Sequence, residues 1–179
     1  MSLEIVFGCM YSGKSTELCR RIKRLQTINK SYIIYNSNYD NRYGPNGIYT
    51  HDRMFIQCQC NDNLMNYINT DEYIAAPYIF IEESQFFDDL YNFVKISVEK
   101  HNKHVVVFGL DGDSNRENFG QIHMLIPIAD DITKLKALCS ICNDGTPGIF
   151  SKKIINSSTK IDIGSVDKYI AVCRPCYLK

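Results

Sequence analysis

The stretch Gly8-Cys9-Met10-Tyr11-Ser12-Gly13-Lys14-Ser15 constrains this chain more than any other. It satisfies G-x-x-x-x-G-K-[ST], the phosphate-binding P-loop pattern. Such a loop works only at a strand-to-helix junction, where glycines let backbone N–H groups turn inward around phosphate oxygens and the helix dipole faces the same anion. The flanks supply that junction. Leu3 to Phe7 is a short apolar run that reads as a buried strand. From Ser15 to Gln26, Leu18, Ile22 and Leu25 recur at helical spacing, with Arg20, Arg21, Lys23 and Arg24 on the other face. A chance glycine turn is the competing explanation, and it arises in roughly one chain of this length in a hundred or fewer. Lys14 would reach the β- and γ-phosphates, and the Ser15 hydroxyl would ligate Mg²⁺. Met10 and Tyr11 are bulky for such a loop. Either they pack beneath the sheet, or one of them lines a pocket for a second, apolar-faced substrate.

The rest of the chain continues the alternation. Tyr32 to Tyr35, Tyr78 to Ile81 and His104 to Leu110 read as strands, and Phe86 to Lys100 as a helix carrying Phe87, Leu90, Phe93, Val94 and Val98 inward. The polar, Asn/Gly/Pro-rich segment from Asn36 to Tyr49 reads as a mobile loop. Strands alternating with helices predict a parallel sheet with helices on both faces. The pattern changes near Lys136, which divides the chain into an α/β nucleotide-binding domain over 1–136 and a small lobe over 137–179. No apolar run approaches the roughly 20 residues of a membrane helix, and a secretory signal is not recognisable at the N-terminus. A cytoplasmic, reducing compartment follows as the expectation.

Open α/β sheets bind ligands at the carboxyl ends of their strands, and Glu82 and Glu83 close the Tyr78 to Ile81 strand. One carboxylate there can hold Mg²⁺ and the other can accept a proton from an attacking hydroxyl. The alternative is a solvated pair beside a helix N-terminus. Cys139-x-x-Cys142 and Cys173-x-x-Cys176 are two knuckles of the kind that present thiolates to tetrahedral Zn²⁺. Four cysteines leave no open position, so the expected zinc is structural. It would staple a lobe too small to bury its own core. A redox pair is the rival reading. The other four of the eight cysteines, Cys9, Cys19, Cys58 and Cys60, read as plain thiols, and the four histidines as packing or surface residues.

In order along the chain stand Gly8-Cys-Met-Tyr-Ser-Gly-Lys-Ser-Thr-Glu-Leu18, Thr50-His-Asp-Arg53, Ile81-Glu-Glu-Ser-Gln-Phe-Phe87, Leu110-Asp-Gly112 with Arg116 and Phe119-Gly120, Asp167-Lys-Tyr169, and Cys173-Arg-Pro-Cys-Tyr177. Together they resemble the type II thymidine kinase family, the cellular-cytosolic and poxvirus-like type. The resemblance implies transfer of the ATP γ-phosphate to the 5′-hydroxyl of thymidine or deoxyuridine, with Mg²⁺, a structural Zn²⁺, a homotetramer and feedback inhibition by thymidine triphosphate. It makes Glu83 the general base. It gives nucleotide and Mg²⁺ contacts to Gly8, Met10, Ser12, Gly13, Lys14, Ser15, Thr16, Arg42, Arg53 and Glu82. Met10, Phe86, Leu110, Phe119 and Tyr169 would form the base pocket, closed by a loop over about 151–169 that includes Ser151, Ile163 and Gly164. Five positions depart from the family pattern: Glu82 replaces an Asp, Cys9 replaces a Pro, and Asp113-Ser114-Asn115 replaces Thr-Phe-Gln.

Three other functions compete. A P-loop ATPase or GTPase switch would need a base-reading Asn-Lys-x-Asp run, which the chain lacks. A nucleic-acid-binding zinc module is disfavoured by a net charge of zero. A deoxynucleoside kinase of another base preference stays open because of Asp113-Ser114.

Overall fold

The computed structural model describes residues 1–39, 47–49, 55–155 and 168–179. Its centre is a six-stranded parallel sheet built from β1 (Ser2–Gly8), β2 (Tyr32–Asn36), β5 (Gln59–Cys60), β6 (Tyr78–Ile81), β7 (His104–Gly109) and β8 (Asp131–Leu135), in the order β5-β2-β6-β7-β1-β8. Side chains alternate across a strand, and here each face receives its own core. Val6, Ile34, Phe80, Val106 and Phe108 meet Leu18 and Ile22 of α1 (Lys14–Thr27). Leu3, Ile5, Ile33, Ile79, Ile81, Val105 and Val107 face the opposite way. They pack against Tyr73 of α2 (Asp71–Ala75), Leu90, Phe93 and Val94 of α3 (Leu90–Lys95), and Ile122 and Leu125. The sheet is therefore covered on both faces, as the alternation predicts.

Two elements differ from the sequence reading. The Phe86 to Lys100 helix is broken into a 3₁₀ turn (Ser84–Phe86), the α3 helix and a π-helical turn (Ile96–Lys100). Asp89 explains the first break. Its carboxylate accepts the Met65 N–H at 2.8 Å while its carbonyl receives the Phe93 N–H at 3.0 Å, so the α-helix begins after it. The segment read as loop from Asn36 to Tyr49 ends in a short strand, β3 (Gly47–Tyr49), antiparallel to β4 (Phe55–Gln57).

Past β8 the chain forms two small antiparallel ladders, β9 (Ala137–Leu138) with β10 (Pro147–Gly148) and β11 (Phe150–Lys153) with β12 (Tyr169–Val172), then the short helix α4 (Arg174–Leu178). Their own core is Cys139, Val172, Cys173 and Cys176, with Phe150 and Tyr177 against it. No helix of the described residues is long and apolar enough to cross a membrane.

Candidate active site

The Gly8–Ser15 loop leaves β1 at the carboxyl edge of the sheet and enters α1. A Cβ on Gly8 would lie 2.5 Å from the Leu135 carbonyl oxygen and 2.7 Å from the Ser12 hydroxyl, so only glycine fits there. Gly13 is the N-cap of α1 at φ 84° and brings no side-chain acceptor to the first-turn N–H groups. The Ser12 hydroxyl is buried with no partner among the described residues. The Lys14 ammonium lies 3.0 Å from the Cys9 carbonyl and 3.3 Å from that of Gly8. Inward glycines, open helix N–H groups, a buried hydroxyl donor and a cation within one loop fit a phosphate group.

Glu82 directly follows β6, and its N–H is held by the Tyr35 carbonyl at 2.9 Å. Its side chain is 2% exposed and accepts the Ser15 hydroxyl at 2.5 Å. The Ser15 hydroxyl and the Glu82 carboxylate thus meet directly, an arrangement that fits a Mg²⁺–phosphate site. Glu83 follows in the left-handed region at φ 47°, ψ 42°, a conformation that costs a non-glycine residue roughly 1–2 kcal/mol. The half-buried Glu83 carboxylate accepts the Gln85 amide at 2.6 Å.

Beside these carboxylates lies an aromatic group. Phe86 meets Phe119 edge to face, with centroids 5.5 Å apart, and the Tyr39 ring lies 5.6 Å from that of Phe86. Leu110, at the end of β7, is half-buried. Tyr39 was hidden in the polar stretch from Asn36 onward, and its only sequence signal is being an aromatic next to the turn after β2.

The cysteine lobe reaches the Gly8–Ser15 loop. Ser151 is buried, and its hydroxyl accepts the Met10 N–H at 2.9 Å. The Cys9 thiol donates to the Gly148 carbonyl at 3.4 Å, and burial pushes it above the ordinary thiol value. Tyr11, at φ 64°, packs with Cys9, Ala137 and Ala171 against that lobe and not beneath the sheet. Thr16 is exposed at the start of α1, and Tyr169 is half-buried in β12 opposite Lys153. Arg42, Arg53, Ile163 and Gly164 lie outside the described residues.

The sulfur atoms of Cys139, Cys142, Cys173 and Cys176 all lie within 4.8 Å of one another, with Cys142 3.7 Å from Cys173 and 3.5 Å from Cys176. Four thiolates around Zn²⁺ at about 2.3 Å stand about 3.8 Å apart, so this cluster fits that ion. Burial opposes ionisation of Cys139, yet backbone N–H groups of Cys142, Cys173 and Ile141 stabilise its thiolate and bring it down to about 6. Cys58 and Cys60 bring their sulfurs to 3.5 Å, but no third ligand of the described residues joins them.

The family model described as thymidine kinase matches residues 1–177. The chain is similar to the thymidine kinase of fowlpox virus (strain NVSL), 38% identical over 179 residues that cover 98% of this chain and 96% of that one. Thymidine kinase a of Arabidopsis thaliana is 38% identical over 181 residues, 99% of this chain and 75% of that one. The cytosolic thymidine kinase of Gallus gallus is 34% identical over 177 residues, 99% of this chain and 77% of that one.

Proposed function

The chain belongs to the thymidine kinase family, and from that premise we propose how its residues phosphorylate thymidine for nucleotide salvage. The observation that carries the proposal is the 2.5 Å bond from Ser15 to Glu82, which joins the phosphate loop to the acidic strand end with Glu83 as the next residue.

ATP lies with its phosphates against Gly8, Met10, Ser12, Gly13 and Thr16. Lys14 exchanges its two carbonyl contacts for β- and γ-phosphate oxygens. Mg²⁺, when bound, neutralises charge on the transferring phosphoryl group, and Ser15 and Glu82 are the residues to hold it. Glu82 is one methylene longer than the family's Asp, and its bond to Ser15 supports its serving the same purpose. Arg42 and Arg53 supply further positive charge near the phosphates. Thymidine stacks its base on the Phe86–Phe119 pair, with Met10, Leu110 and Tyr169 around it. The segment over 151–169 closes over the base through backbone groups, Ile163 and Gly164 among them, and excludes water. Ser151 belongs to this segment by position, and its bond to Met10 supports a bracing part in it.

Glu83 accepts the 5′-hydroxyl proton as the 5′-oxygen bonds to the γ-phosphorus and the bond to the β-γ bridging oxygen breaks, leaving ADP and the monophosphate. Deoxyuridine, which lacks only the base methyl, is accepted too. The proposal extends to the domain division at 136/137, a structural Zn²⁺ on the four cysteines, a cytoplasmic homotetramer and inhibition by thymidine triphosphate.

A panel of nucleosides with radiolabelled ATP tests this. Thymidine and deoxyuridine are expected to become monophosphates, Lys14→Ala to abolish transfer, and Glu83→Gln to bind thymidine without turnover. ATP hydrolysis at equal rates with and without thymidine would overturn the reading.

A further inference from the structure

Gln85 has no part in the chemistry just described, yet it is buried within the site and bonded to two sides of it. It sits in the 3₁₀ turn Ser84–Phe86 and is 3% exposed. Its Oε1 accepts the Leu110 N–H at 3.1 Å, and its Nε2 donates to Glu83 Oε2 at 2.6 Å. The two ends of a glutamine amide are ordinarily hard to tell apart, but here the partners decide. A backbone N–H can only donate and a carboxylate can only accept, so the oxygen must face Leu110 and the NH₂ must face Glu83.

The neighbouring backbone comes close around this turn. A Cβ on Gly120 would lie 2.2 Å from the Gln85 carbonyl oxygen, and one on Gly109 would lie 3.0 Å from Gln85 Oε1 and 2.5 Å from the Ser84 hydroxyl. Two glycines are thus kept small by close approach to this turn. Glu83 meanwhile holds a left-handed backbone that its own side chain does not favour, so its direction is set by what surrounds it.

We propose that Gln85 is a positioning residue for the phosphoryl transfer. Its NH₂ fixes the rotation of the Glu83 carboxylate, and its oxygen ties that carboxylate to the Leu110 backbone on the nucleoside side of the site. The base is thereby registered against the pocket that holds the acceptor hydroxyl. This rests on Glu83 being the base. Misplacement of a catalytic group by about 1 Å costs on the order of 100-fold.

The test uses Gln85→Glu, Gln85→Met and Glu83→Gln in the full chain, with folding checked by thermal unfolding and thymidine affinity by calorimetry. Gln85→Glu keeps an acceptor for Leu110 and loses the donor to Glu83. It is expected to lower kcat roughly 10- to 100-fold at neutral pH, with thymidine affinity changed less than about 3-fold. Its activity relative to the native enzyme should recover as the pH falls, because the protonated side chain can donate to Glu83 again. Gln85→Met should lose the same activity without the acid recovery. Placed in the Glu83→Gln background, Gln85→Met should reduce the residual rate no further.

Native kcat in Gln85→Glu would overturn the positioning assignment alone. So would a loss from Gln85→Met that is as large with Glu83→Gln as without it. Native kcat in Glu83→Gln would instead overturn the base assignment, and this one with it. Should Gln85→Met fail to fold, Gln85→Glu and its pH profile decide.

Discussion

Replacing Ser151 by alanine separates two parts this residue can play. Ser151 lies at the start of the segment proposed to close over the base, yet its buried hydroxyl holds the Met10 N–H of the phosphate loop at 2.9 Å. Removing it leaves that N–H without its acceptor, at a cost of about 1–3 kcal/mol. The loop would not collapse. The Cys9 thiol still reaches the Gly148 carbonyl, and Cys9 and Tyr11 still pack on Ala137 and Ala171. At about 2–4 °C per kcal/mol for a chain of this size, the melting temperature should fall by about 2–12 °C. Because the orphaned N–H belongs to the loop proposed to cradle ATP, whatever part of that cost appears only in the nucleotide complex should instead raise the KM for ATP. The ceiling is about 150-fold, reached if the whole cost appeared only in the nucleotide complex. Initial rates with ATP and thymidine varied in turn, beside thermal unfolding, measure both effects. A Ser151→Ala enzyme with native melting and native ATP KM but a tenfold higher thymidine KM would refute the bracing argument and place Ser151 on the nucleoside.

Two further outcomes follow from the geometry. Metal analysis of the purified protein should find one zinc per chain, and its removal by a chelator should cost stability on the order of several kcal/mol; metal-free protein that melts as the native form does would refute the four-thiolate site. Glu17 accepts hydrogen bonds from Arg20 and Arg21, and Arg20 foremost holds its carboxyl below the ordinary value of 4.5. Its folded value is the lower one, so its contribution is present above pH 4.5 and is lost as the pH falls through the folded value. Glu17→Gln should therefore lower stability by about 0.5–1 kcal/mol at neutral pH, and its melting curve should converge with the native one in acid.

The strands that carry the site were legible because each is apolar on both faces. Tyr78–Ile81 occurs at the predicted residues, and β1, β2 and β7 within a residue or so of theirs. The edge strand β8 was not, because Asp131-Ile-Thr-Lys-Leu135 has one partner strand and a largely exposed surface, so it carries no continuous apolar run. The cysteine cluster was legible from spacing alone, since two C-x-x-C knuckles leave few other geometries. Gln85 and Ser151 were not legible as supports. A side chain that braces through one or two hydrogen bonds has no periodicity and no spacing, and the backbone N–H groups these two accept, those of Leu110 and Met10, are distant in sequence. The break at Asp89 was hidden for the same reason, because it depends on the Met65 N–H from another part of the chain.

The cysteine lobe touches both sides of the proposed cleft, and this would give the proposed structural metal consequences for chemistry it never contacts. On one side, Ser151 of β11 and Gly148 of β10 hold the backbone of Met10 and the thiol of Cys9. On the other, the Tyr177 hydroxyl, one residue past Cys176, donates to the Ser114 carbonyl at 2.6 Å, and the Arg116 guanidinium lies 4.4 Å from the Tyr177 ring centre and 5.6 Å from that of Phe150. Ser114 and Arg116 belong to the turn between Leu110 and Phe119. Asp113 closes that turn by accepting the Asn115 and Glu117 N–H groups at 2.8 and 2.9 Å. The departure from Thr-Phe-Gln to Asp-Ser-Asn therefore keeps a defined turn: the carboxylate organises the backbone, and the lobe's aromatics grip it from outside. Both grips hang on short strands with a core of only a few side chains, too little to hold them in register unaided. A tetrahedral thiolate centre on the four cysteines would be stiff enough to do so. Loosening it should disturb the phosphate loop and the turn bearing Phe119 together, where a lobe serving the nucleoside alone would disturb only one.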